Sequence, residues 1–170
     1  MGTGCGPLAL MLCRAGFARV LATDINPNAI ESVRRERARF LPPPPIELYC
    51  GDLLGNDPAQ ADLIVFNPPW LPGEAEGLLD EALNYDDSLF ERFFDQARAR
   101  LAPDGRVVLI FSNIMTLLQP DAPHPILAEL KRGRLRLVKK LERKVAPSRA
   151  PDGSLRRTRE RVEVWELEKA

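Results

Sequence analysis

The chain has 170 residues, and its 24 lysines and arginines are balanced by 24 aspartates and glutamates. With 45% hydrophobic and 28% charged residues, the composition is that of a globular protein and argues against a disordered chain. No apolar run approaches the ~20 residues of a membrane-spanning helix, and no basic stretch followed by an apolar one indicates a secretory signal. We therefore expect one domain over residues 1–170, a cytoplasmic location and no membrane partner.

Charge is distributed unevenly along the chain. Residues 1–130 contain 10 basic and 18 acidic residues, a net charge of −8, whereas residues 131–170 contain 14 basic and 6 acidic residues, a net charge of +8. A basic segment of this kind fits a nucleic-acid or acidic-protein partner, and it equally fits a solvated hairpin of mixed charge. Both interpretations stay open at this stage.

The first third of the chain predicts two helices and two strands. Glycines at 2, 4 and 6 form a glycine-rich turn, and Pro7 suits the first turn of a helix that Gly16 would end. The elements that follow are a strand over 18–23, a helix from 27 to about 39, and a short strand over 46–49 after the four prolines 42–45. Asp24 and Asp52 each lie just beyond the carboxyl end of one of these strands.

The rest of the chain begins with a strand over 62–66 that runs directly into Asn67-Pro68-Pro69-Trp70. Prolines cannot continue a strand, so this tetrapeptide is predicted to be a loop. An acidic irregular segment over 71–87 follows, and then a helix that is capped by Ser88 and extends to 101. A turn at 103–105 leads into a strand over 106–111. The last predicted elements are a helix over 122–132 and two strands, over 135–145 and 161–167, that are joined by a long polar hairpin loop.

Strands that alternate with helices and finish in a hairpin predict an α/β fold, a doubly wound and mostly parallel sheet with helices on both faces and an antiparallel hairpin at its end. In such sheets, ligands bind beyond the carboxyl ends of the strands. The glycine turn, Asp24, Asp52 and Asn67 all fall at such ends. We therefore expect these four positions to meet at one rim of the sheet.

Three of these positions are candidates for binding a nucleoside-containing ligand. Glycines let the backbone of residues 2–6 approach a ligand closely, while the following helix directs free N–H groups at it. Asp24 can accept hydrogen bonds from both hydroxyls of an adenosine ribose, and Asp52 can accept one from the adenine amino group. The alternatives are a purely structural turn and a capping or turn role for the aspartates. A dinucleotide site is also possible from this pattern, although no third glycine follows at its spacing.

The tetrapeptide Asn67-Pro68-Pro69-Trp70 is the most informative motif. Its two prolines remove two backbone N–H donors, so the loop presents carbonyl oxygens without competing donors. The Asn67 side-chain oxygen and the Pro68 carbonyl can then accept both hydrogens of a planar NH2 group, and Trp70 offers a flat face for stacking. Because such a nitrogen is a poor nucleophile, two acceptors on its hydrogens raise its electron density and orient it. The alternative is a structural Pro-Pro turn with a buried tryptophan.

Residues for metal or nucleophile chemistry are few. Cys5, Cys13 and Cys50 match neither a zinc motif nor a disulfide framework, and we interpret them as buried, reduced thiols. His124 is the one histidine and lies between two prolines in a predicted loop, so a histidine metal cluster or a Ser-His-Asp relay lacks its parts. We therefore expect no metal site and exclude most hydrolase mechanisms.

Together these motifs resemble the class I S-adenosylmethionine-dependent methyltransferases over nearly the whole chain. The resemblance implies a Rossmann-like catalytic domain with S-adenosylmethionine as cofactor and a macromolecular methyl acceptor. It is similar to small-domain and release-factor-type enzymes that methylate protein glutamine amides, and to enzymes that methylate amines of ribosomal RNA or, less closely, DNA. The residues that it assigns are Gly2, Thr3, Gly4 and Gly6 in the glycine motif, Asp24, Ile25 and Asn26 in the ribose-binding loop, Asp52 and Leu53 at the adenine, and Asn67, Pro68, Pro69 and Trp70 in the catalytic motif, with Asn67 also next to the cofactor.

Two departures limit what the resemblance implies. The family's first strand, which precedes the glycines, has no counterpart in the printed sequence, and its loss would leave unpaired backbone groups between the strands at 18–23 and 62–66. We therefore expect that the chain is an N-terminally truncated form of a longer protein. Residues 71–87 also match the release-factor enzymes poorly, so the methyl acceptor stays open.

Three functions fit parts of this pattern. The first is an N-methyltransferase that acts on a macromolecule, with a protein glutamine amide as the preferred acceptor and an rRNA or DNA amine as the alternative. The second is a nicotinamide-dependent dehydrogenase, which explains the glycine turn and Asp24 but not the Asn67–Trp70 motif. The third is a non-catalytic module that has lost cofactor binding and whose basic hairpin binds RNA or a protein.

Overall fold

The computed structural model describes residues 1–55, 57–73, 84–86, 88–149, 155–156 and 158–170. They form two compact units, residues 1–59 and residues 60–170. The expectation that residues 1–170 form one truncated catalytic domain stays a prediction.

The first unit contains two helices and two parallel strands, in the order that the sequence predicts. They are α1 (Pro7–Arg14), β1 (Val20–Asp24), α2 (Pro27–Arg37) and β2 (Ile46–Cys50). β1 and β2 pair in register from Val20 opposite Ile46 to Asp24 opposite Cys50. Both strands therefore end at the same edge, and Asp24 is the last residue of β1.

Local sequence signals set the ends of these helices. Pro7 occupies the first turn of α1, and Gly16 follows the helix with a φ of 94°, a conformation that favours glycine. Asn26 is the N-cap of α2, because its side chain accepts a hydrogen bond from the N–H of Asn28 over 2.9 Å. The helices and strands share one small core, formed by Ala9, Val20, Ala22, Val33 and Ile46.

The second unit holds a four-stranded sheet in the order β3-β6-β10-β7. β3 and β6 are parallel, and β10 is antiparallel to both β6 and β7. The predicted terminal hairpin is therefore confirmed, with β10 lying between β6 and β7. The elements of the unit are β3 (Ala61–Phe66), β4 (Leu71–Pro72), β5 (Asn84–Tyr85), α3 (Leu89–Arg100), β6 (Leu101–Ser112), α4 (Ile114–Leu118), α5 (Pro125–Lys131), β7 (Leu135–Lys144), β8 (Ser148–Arg149), β9 (Leu155–Arg156) and β10 (Arg161–Lys169).

Helix α3 packs on one face of this sheet through aromatic side chains. The ring centroids of Phe66 and Phe93 lie 4.9 Å apart, and those of Phe90 and Phe111 lie 5.7 Å apart. Phe93 and Phe111 are fully buried, and each such side chain contributes about 1.5–3 kcal/mol to folding. This packing fixes β3 beside β6 at the point where β3 ends.

The turn predicted at residues 103–105 is instead part of β6. Leu101 lies opposite Ala61 and Arg106 lies opposite Leu63, so residues 102–105 bulge from the ladder without ending the strand. Gly105 is required in this bulge, since a Cβ atom on it would lie 2.9 Å from the Ala61 carbonyl oxygen.

Helix boundaries after residue 85 differ in detail from the prediction. Ser88 is the N-cap residue of α3, but its side chain does not cap the helix, and its N–H and hydroxyl both donate to Asp86. α4 was not predicted, and α5 is shorter than expected because it begins at Pro125, with His124 as its N-cap. The expectations for residues 74–83 and 87, and for 150–154 and 157 in the hairpin loop, fall outside the described residues.

Candidate active site

The glycine turn before α1 adopts a backbone that only glycine accommodates well. Gly2, Gly4 and Gly6 have φ angles of 57°, 53° and 90°. A Cβ atom on Gly6 would lie 3.0 Å from Cγ2 of Val33 in α2, so this position requires glycine for packing as well as for conformation. The N–H of Thr3 donates to the Thr23 carbonyl over 2.9 Å. The turn is therefore fastened to β1.

Asp24 lies at the centre of this part of the first unit. Its Oδ2 atom accepts the N–H of Gly4 and its Oδ1 atom accepts the N–H of Asn26, both over 2.9 Å. Asp24 does not cap α2, because Asn26 does. An ionised carboxylate has about four acceptor positions, so two backbone bonds leave Asp24 able to accept hydrogen bonds from a ligand.

The segment with Asp52 and Leu53 meets the same end of β1. The N–H of Gly51 donates to the Asp24 carbonyl over 2.9 Å, and the Thr23 hydroxyl donates to the Leu53 carbonyl over 2.6 Å. Leu53 has a φ of 50° and a buried side chain. The structure thus brings together the glycine turn, Asp24 and Asp52–Leu53, as three of the four expected positions.

These residues fit an adenosine-containing cofactor. A Cβ atom on Gly4 would meet nothing within 4 Å, which leaves open space beside the turn. The Thr3 hydroxyl is buried and has no hydrogen-bond partner among the described residues, so it is available to a polar ligand atom. Ile25 is half exposed next to Asp24 and offers an apolar contact. The glycine turn and Asp24 therefore leave open space, a buried hydroxyl and free acceptor positions for a ligand.

The cysteines near this region differ from the prediction. All three are free, but Cys5 and Cys50 are exposed, and only Cys13 is partly buried. The prediction that they are buried was wrong because Cys5 lies within the glycine turn and Cys50 is the last residue of β2. In the described part of the chain, no group of three or more metal-binding side chains is placed to hold an ion, and no helix has the length and apolar character needed to cross a bilayer.

The Asn67–Trp70 loop belongs to the second unit and follows β3 directly, as predicted. The indole N–H of Trp70 donates to the Ile110 carbonyl of β6 over 3.3 Å. Pro68 is buried, Asn67 is exposed, and no described residue hydrogen-bonds to the Asn67 side chain. The loop is therefore anchored at Pro68 and Trp70, while the Asn67 amide stays available to a ligand.

Contacts that no local sequence pattern predicts connect the segments around this loop. After the loop, Leu71 pairs with Asn84, and the Tyr85 hydroxyl donates to Met115 Sδ over 3.0 Å. At the end of β6, the Asn113 side chain accepts the N–H of Arg161 over 2.7 Å and ties the start of β10 to β6. No local pattern distinguishes Asn113 or Tyr85, because their partners lie tens of residues away.

A cluster of charged side chains surrounds the buried Glu163 of β10. Glu163 accepts hydrogen bonds from Lys140 Nζ over 2.8 Å and from Trp165 Nε1 over 2.9 Å, and His124 Nε2 lies 3.7 Å away. Burial raises the pKa of Glu163, but His124, Lys140 and Trp165 favour its charged form more strongly and lower the pKa to about 2. The cluster thus keeps one carboxylate ionised inside the second unit.

Comparison with known proteins identifies related chains. Residues 1–120 match the family model of the methyltransferase small domain. The chain is 32% identical over 121 residues to the putative protein N5-glutamine methyltransferase of Methanocaldococcus jannaschii, a match that covers 67% of this chain and 60% of that protein. It is 33% identical over 136 residues to the release factor glutamine methyltransferase of Deinococcus radiodurans, covering 77% of this chain and 48% of that protein. The chain therefore spans only about half to three fifths of these relatives' length.

A solved structure establishes the fold. The ribosomal protein L11 methylase of Lactobacillus delbrueckii subsp. bulgaricus is 20% identical and superimposes with a TM-score of 0.63 over 99% of this chain and 66% of that one. The predicted α/β, Rossmann-like fold with a terminal antiparallel hairpin is thus confirmed.

Proposed function

This chain belongs to the methyltransferase small domain family, and from that premise we propose that it transfers a methyl group from S-adenosylmethionine to the nitrogen of a planar NH2 group on a macromolecule. The observation that carries the proposal is the Asn67–Trp70 loop, which presents an exposed asparagine at the end of β3, directly before the buried Pro68 and the hydrogen-bonded Trp70. A nicotinamide-dependent dehydrogenase has no use for these four residues.

The cofactor part of the proposal rests on the first unit. The carboxylate of Asp24, with its remaining acceptor positions, would bind the ribose hydroxyls, and Asp52 and Leu53 would contact the adenine. S-adenosylmethionine supplies an electrophilic methyl group on a sulfonium sulfur. The residues of the first unit that are proposed to hold it are Gly2, Thr3, Gly4, Gly6, Asp24, Ile25, Asn26, Asp52 and Leu53.

The acceptor part of the proposal rests on the second unit. The Asn67 side-chain oxygen and the Pro68 carbonyl would accept the two hydrogens of the NH2 group and orient its nitrogen, while Trp70 would stack on the plane of the amide or base. Neither Pro68 nor Pro69 has an N–H that competes for these acceptors. The nitrogen loses its extra proton only after it has accepted the methyl group, so the residues need not include a strong base.

We favour a protein glutamine amide as the acceptor. The support is that two relatives above 30% identity carry glutamine methyltransferase in their names. Amines of ribosomal RNA or DNA are the alternative. They present the same planar NH2 geometry, and the loop is proposed to contact the NH2 group and not the rest of the acceptor molecule.

Labelling separates these possibilities. The protein is incubated with methyl-labelled S-adenosylmethionine and a fractionated cell lysate, and uptake by protein, RNA and DNA is counted separately. We expect label in protein, on an amide nitrogen. Label confined to RNA or DNA would replace the acceptor assignment, and no label in any fraction would contradict the activity itself.

Calorimetry tests the cofactor independently of the acceptor. Isothermal titration should show binding of S-adenosylmethionine and none of NAD. Binding of NAD alone would favour the dehydrogenase, and binding of neither would favour the non-catalytic module.

A further inference from the structure

We propose that the outer edge of β7 binds an extended, acidic segment of the protein that carries the acceptor amide. Within the described residues, β7 is the last strand of the order β3-β6-β10-β7, so every second residue directs its backbone N–H and C=O away from β10. The identification of this partner as the methyl acceptor rests on the proposed function. The binding edge itself is argued from the charges and exposed side chains of β7.

Three cations of β7 have no ion-pair partner among the described residues. They are Lys139, Arg143 and Lys144, and all three are exposed. Their neighbours on the strand are paired, since Arg136 lies 2.5 Å from Glu168 and Lys140 lies 2.8 Å from Glu163. An acidic partner would therefore compensate charges that the described residues leave uncompensated.

The spacing of these side chains specifies the kind of segment. Lys139, Leu141 and Arg143 alternate along β7 and so share one face of the sheet. On the inner side of β7, Glu166 lies opposite Lys139 and Val164 lies opposite Leu141. Glu166 forms its ion pair with Arg106 over 3.6 Å and not with Lys139, so this face places an acidic and an aliphatic residue beside β7 without compensating the Lys139 charge. A strand added at the outer edge would meet the same face. It would fit best with acidic, aliphatic and acidic residues at alternate positions.

Exposed apolar side chains favour a peptide over a nucleic acid. Leu137, Val138 and Leu141 are 46%, 44% and 52% exposed. Leu141 shares its face with Lys139 and Arg143, whereas Leu137, opposite Leu167, lies on the other face, so β7 carries exposed aliphatic side chains and no aromatic ring. The nearest tryptophan, Trp165, is buried beneath Lys140, whose Nζ lies 4.3 Å from the ring centroid. Single-stranded nucleic acids bind proteins through stacking on exposed aromatic rings, which this edge lacks.

Self-association and a purely protective role both fit this edge less well than peptide binding does. A second copy of the chain would bring like charges together at Lys139 and Arg143, which is destabilising. Lysines on an edge strand also prevent edge-to-edge pairing between proteins. Three exposed aliphatic side chains on the same strand would instead promote such pairing.

The edge lies within reach of the acceptor loop in the second unit. Lys144, the last residue of β7, lies opposite Arg161, and Val162 lies opposite Ser112, the last residue of β6. β7 therefore ends at the same end of the sheet as β6 and β3. A strand beside β7 would be four strand spacings from β3, roughly 19 Å. About six extended residues span that distance. The acceptor amide is thus expected at least about six residues from the acidic segment in the partner's sequence.

Fluorescence anisotropy with a defined probe tests the edge without any methyl transfer. The probe is a fluorescein-labelled peptide of sequence TETVTET, added to the full chain. We expect binding that weakens with added salt, and Lys139→Gln/Arg143→Gln should raise the Kd about tenfold. The matched control Arg98→Gln/Lys131→Gln removes two exposed cations of α3 and α5 and should leave the Kd within about twofold.

Two further probes make the outcome decisive. The same peptide N-methylated at alternate amides should not bind, because it cannot complete the strand ladder. Equal binding of the N-methylated peptide, an equal loss in the control variant, or preferential binding of an oligouridylate would each overturn the proposal. Asn67→Ala should bind the peptide with unchanged Kd. A protein that binds the peptide but transfers no methyl group would contradict the proposed function and leave the binding edge standing.

Discussion

The backbone N–H of Gly4 donates a hydrogen bond to Asp24 Oδ2 over 2.9 Å, and this bond joins the glycine turn to the end of β1. Because Oδ1 of the same carboxylate holds the N–H of Asn26, Asp24 shapes both loops at the proposed cofactor site. It also keeps acceptor positions for a ligand. Substitutions here are therefore expected to affect cofactor binding directly.

Asp24→Asn should weaken S-adenosylmethionine binding by about tenfold or more. The asparagine amide has only one acceptor oxygen, so its NH2 group must face the N–H of either Gly4 or Asn26, where two donors meet. The side chain also loses acceptor positions that the ribose hydroxyls would use. Isothermal titration measures the effect. Asp62→Asn changes an exposed carboxylate of β3 and should leave affinity unchanged. Equal losses in both variants would contradict the role of Asp24.

Gly6→Ala should destabilise the chain by about 1–3 kcal/mol. The new Cβ atom would combine a φ of 90° with a 3.0 Å approach to Val33. Gly133→Ala is the matched control, since Gly133 has a φ of 69° but nothing within 4 Å of a Cβ atom. Urea unfolding of both variants separates backbone strain from the clash with α2. If Gly133→Ala lowers the free energy of unfolding as much as Gly6→Ala does, the contact with Val33 does not contribute to the requirement for glycine at position 6.

Asn67→Ala should lower methyl transfer by about 100-fold or more, by analogy with the loss of one positioned hydrogen-bonding group in an active site. Stability should change little, because the side chain is exposed and bonded to no described residue. Labelled transfer and unfolding are measured on the same preparation. Asn28→Ala, at an exposed position of α2, should retain full transfer. Turnover by Asn67→Ala at the unaltered rate would rule out its proposed role.

Glu163→Gln should reduce stability in a pH-dependent way. The folded-state pKa of Glu163 is about 2, below its ordinary value of 4.5, so its charge stabilises the folded chain above pH 4.5 and that contribution is lost as the pH falls from 4.5 towards 2. The contribution at neutral pH is on the order of 3 kcal/mol. The free energies of unfolding of the unaltered chain and Glu163→Gln should therefore differ at pH 7 and converge only as the pH falls through about 2.

A control at an exposed carboxylate makes this measurement specific. Glu91 pairs with Arg132 at the surface, and its side chain is 60% exposed. Glu91→Gln should shift stability by less than about 1 kcal/mol at every pH. A constant difference between Glu163→Gln and the unaltered chain across the acid range would contradict the low pKa.

Much of the candidate site followed from local residue patterns. The apolar run before Asn67 and the two prolines after it predicted a strand and then a loop, since proline cannot continue a strand ladder. Pro7 and Gly16 marked the ends of α1 for equally local reasons. The convergence of Asp24 and Asp52 in the first unit also followed, because parallel strands end at one edge of a sheet.

Other features depended on partners that no local pattern selects. The four-residue bulge in β6 requires Ala61 of β3 beside Gly105, and the Ser88 hydroxyl donates to Asp86 instead of capping α3. The ionised state of Glu163 arises from three neighbours on different elements.

By itself, the sequence determined the order of the main helices and strands, the loop at Asn67 and the glycine turn before α1, because these follow from backbone stereochemistry and side-chain periodicity over a few residues. Only the tertiary structure decided that β10 lies between β6 and β7, and that the Trp70 indole is held by the carbonyl of Ile110, 40 residues further along the chain. The physical reason is that strand order and long-range hydrogen bonds are chosen by packing of the whole unit, in which many distant partners compete for the same groups.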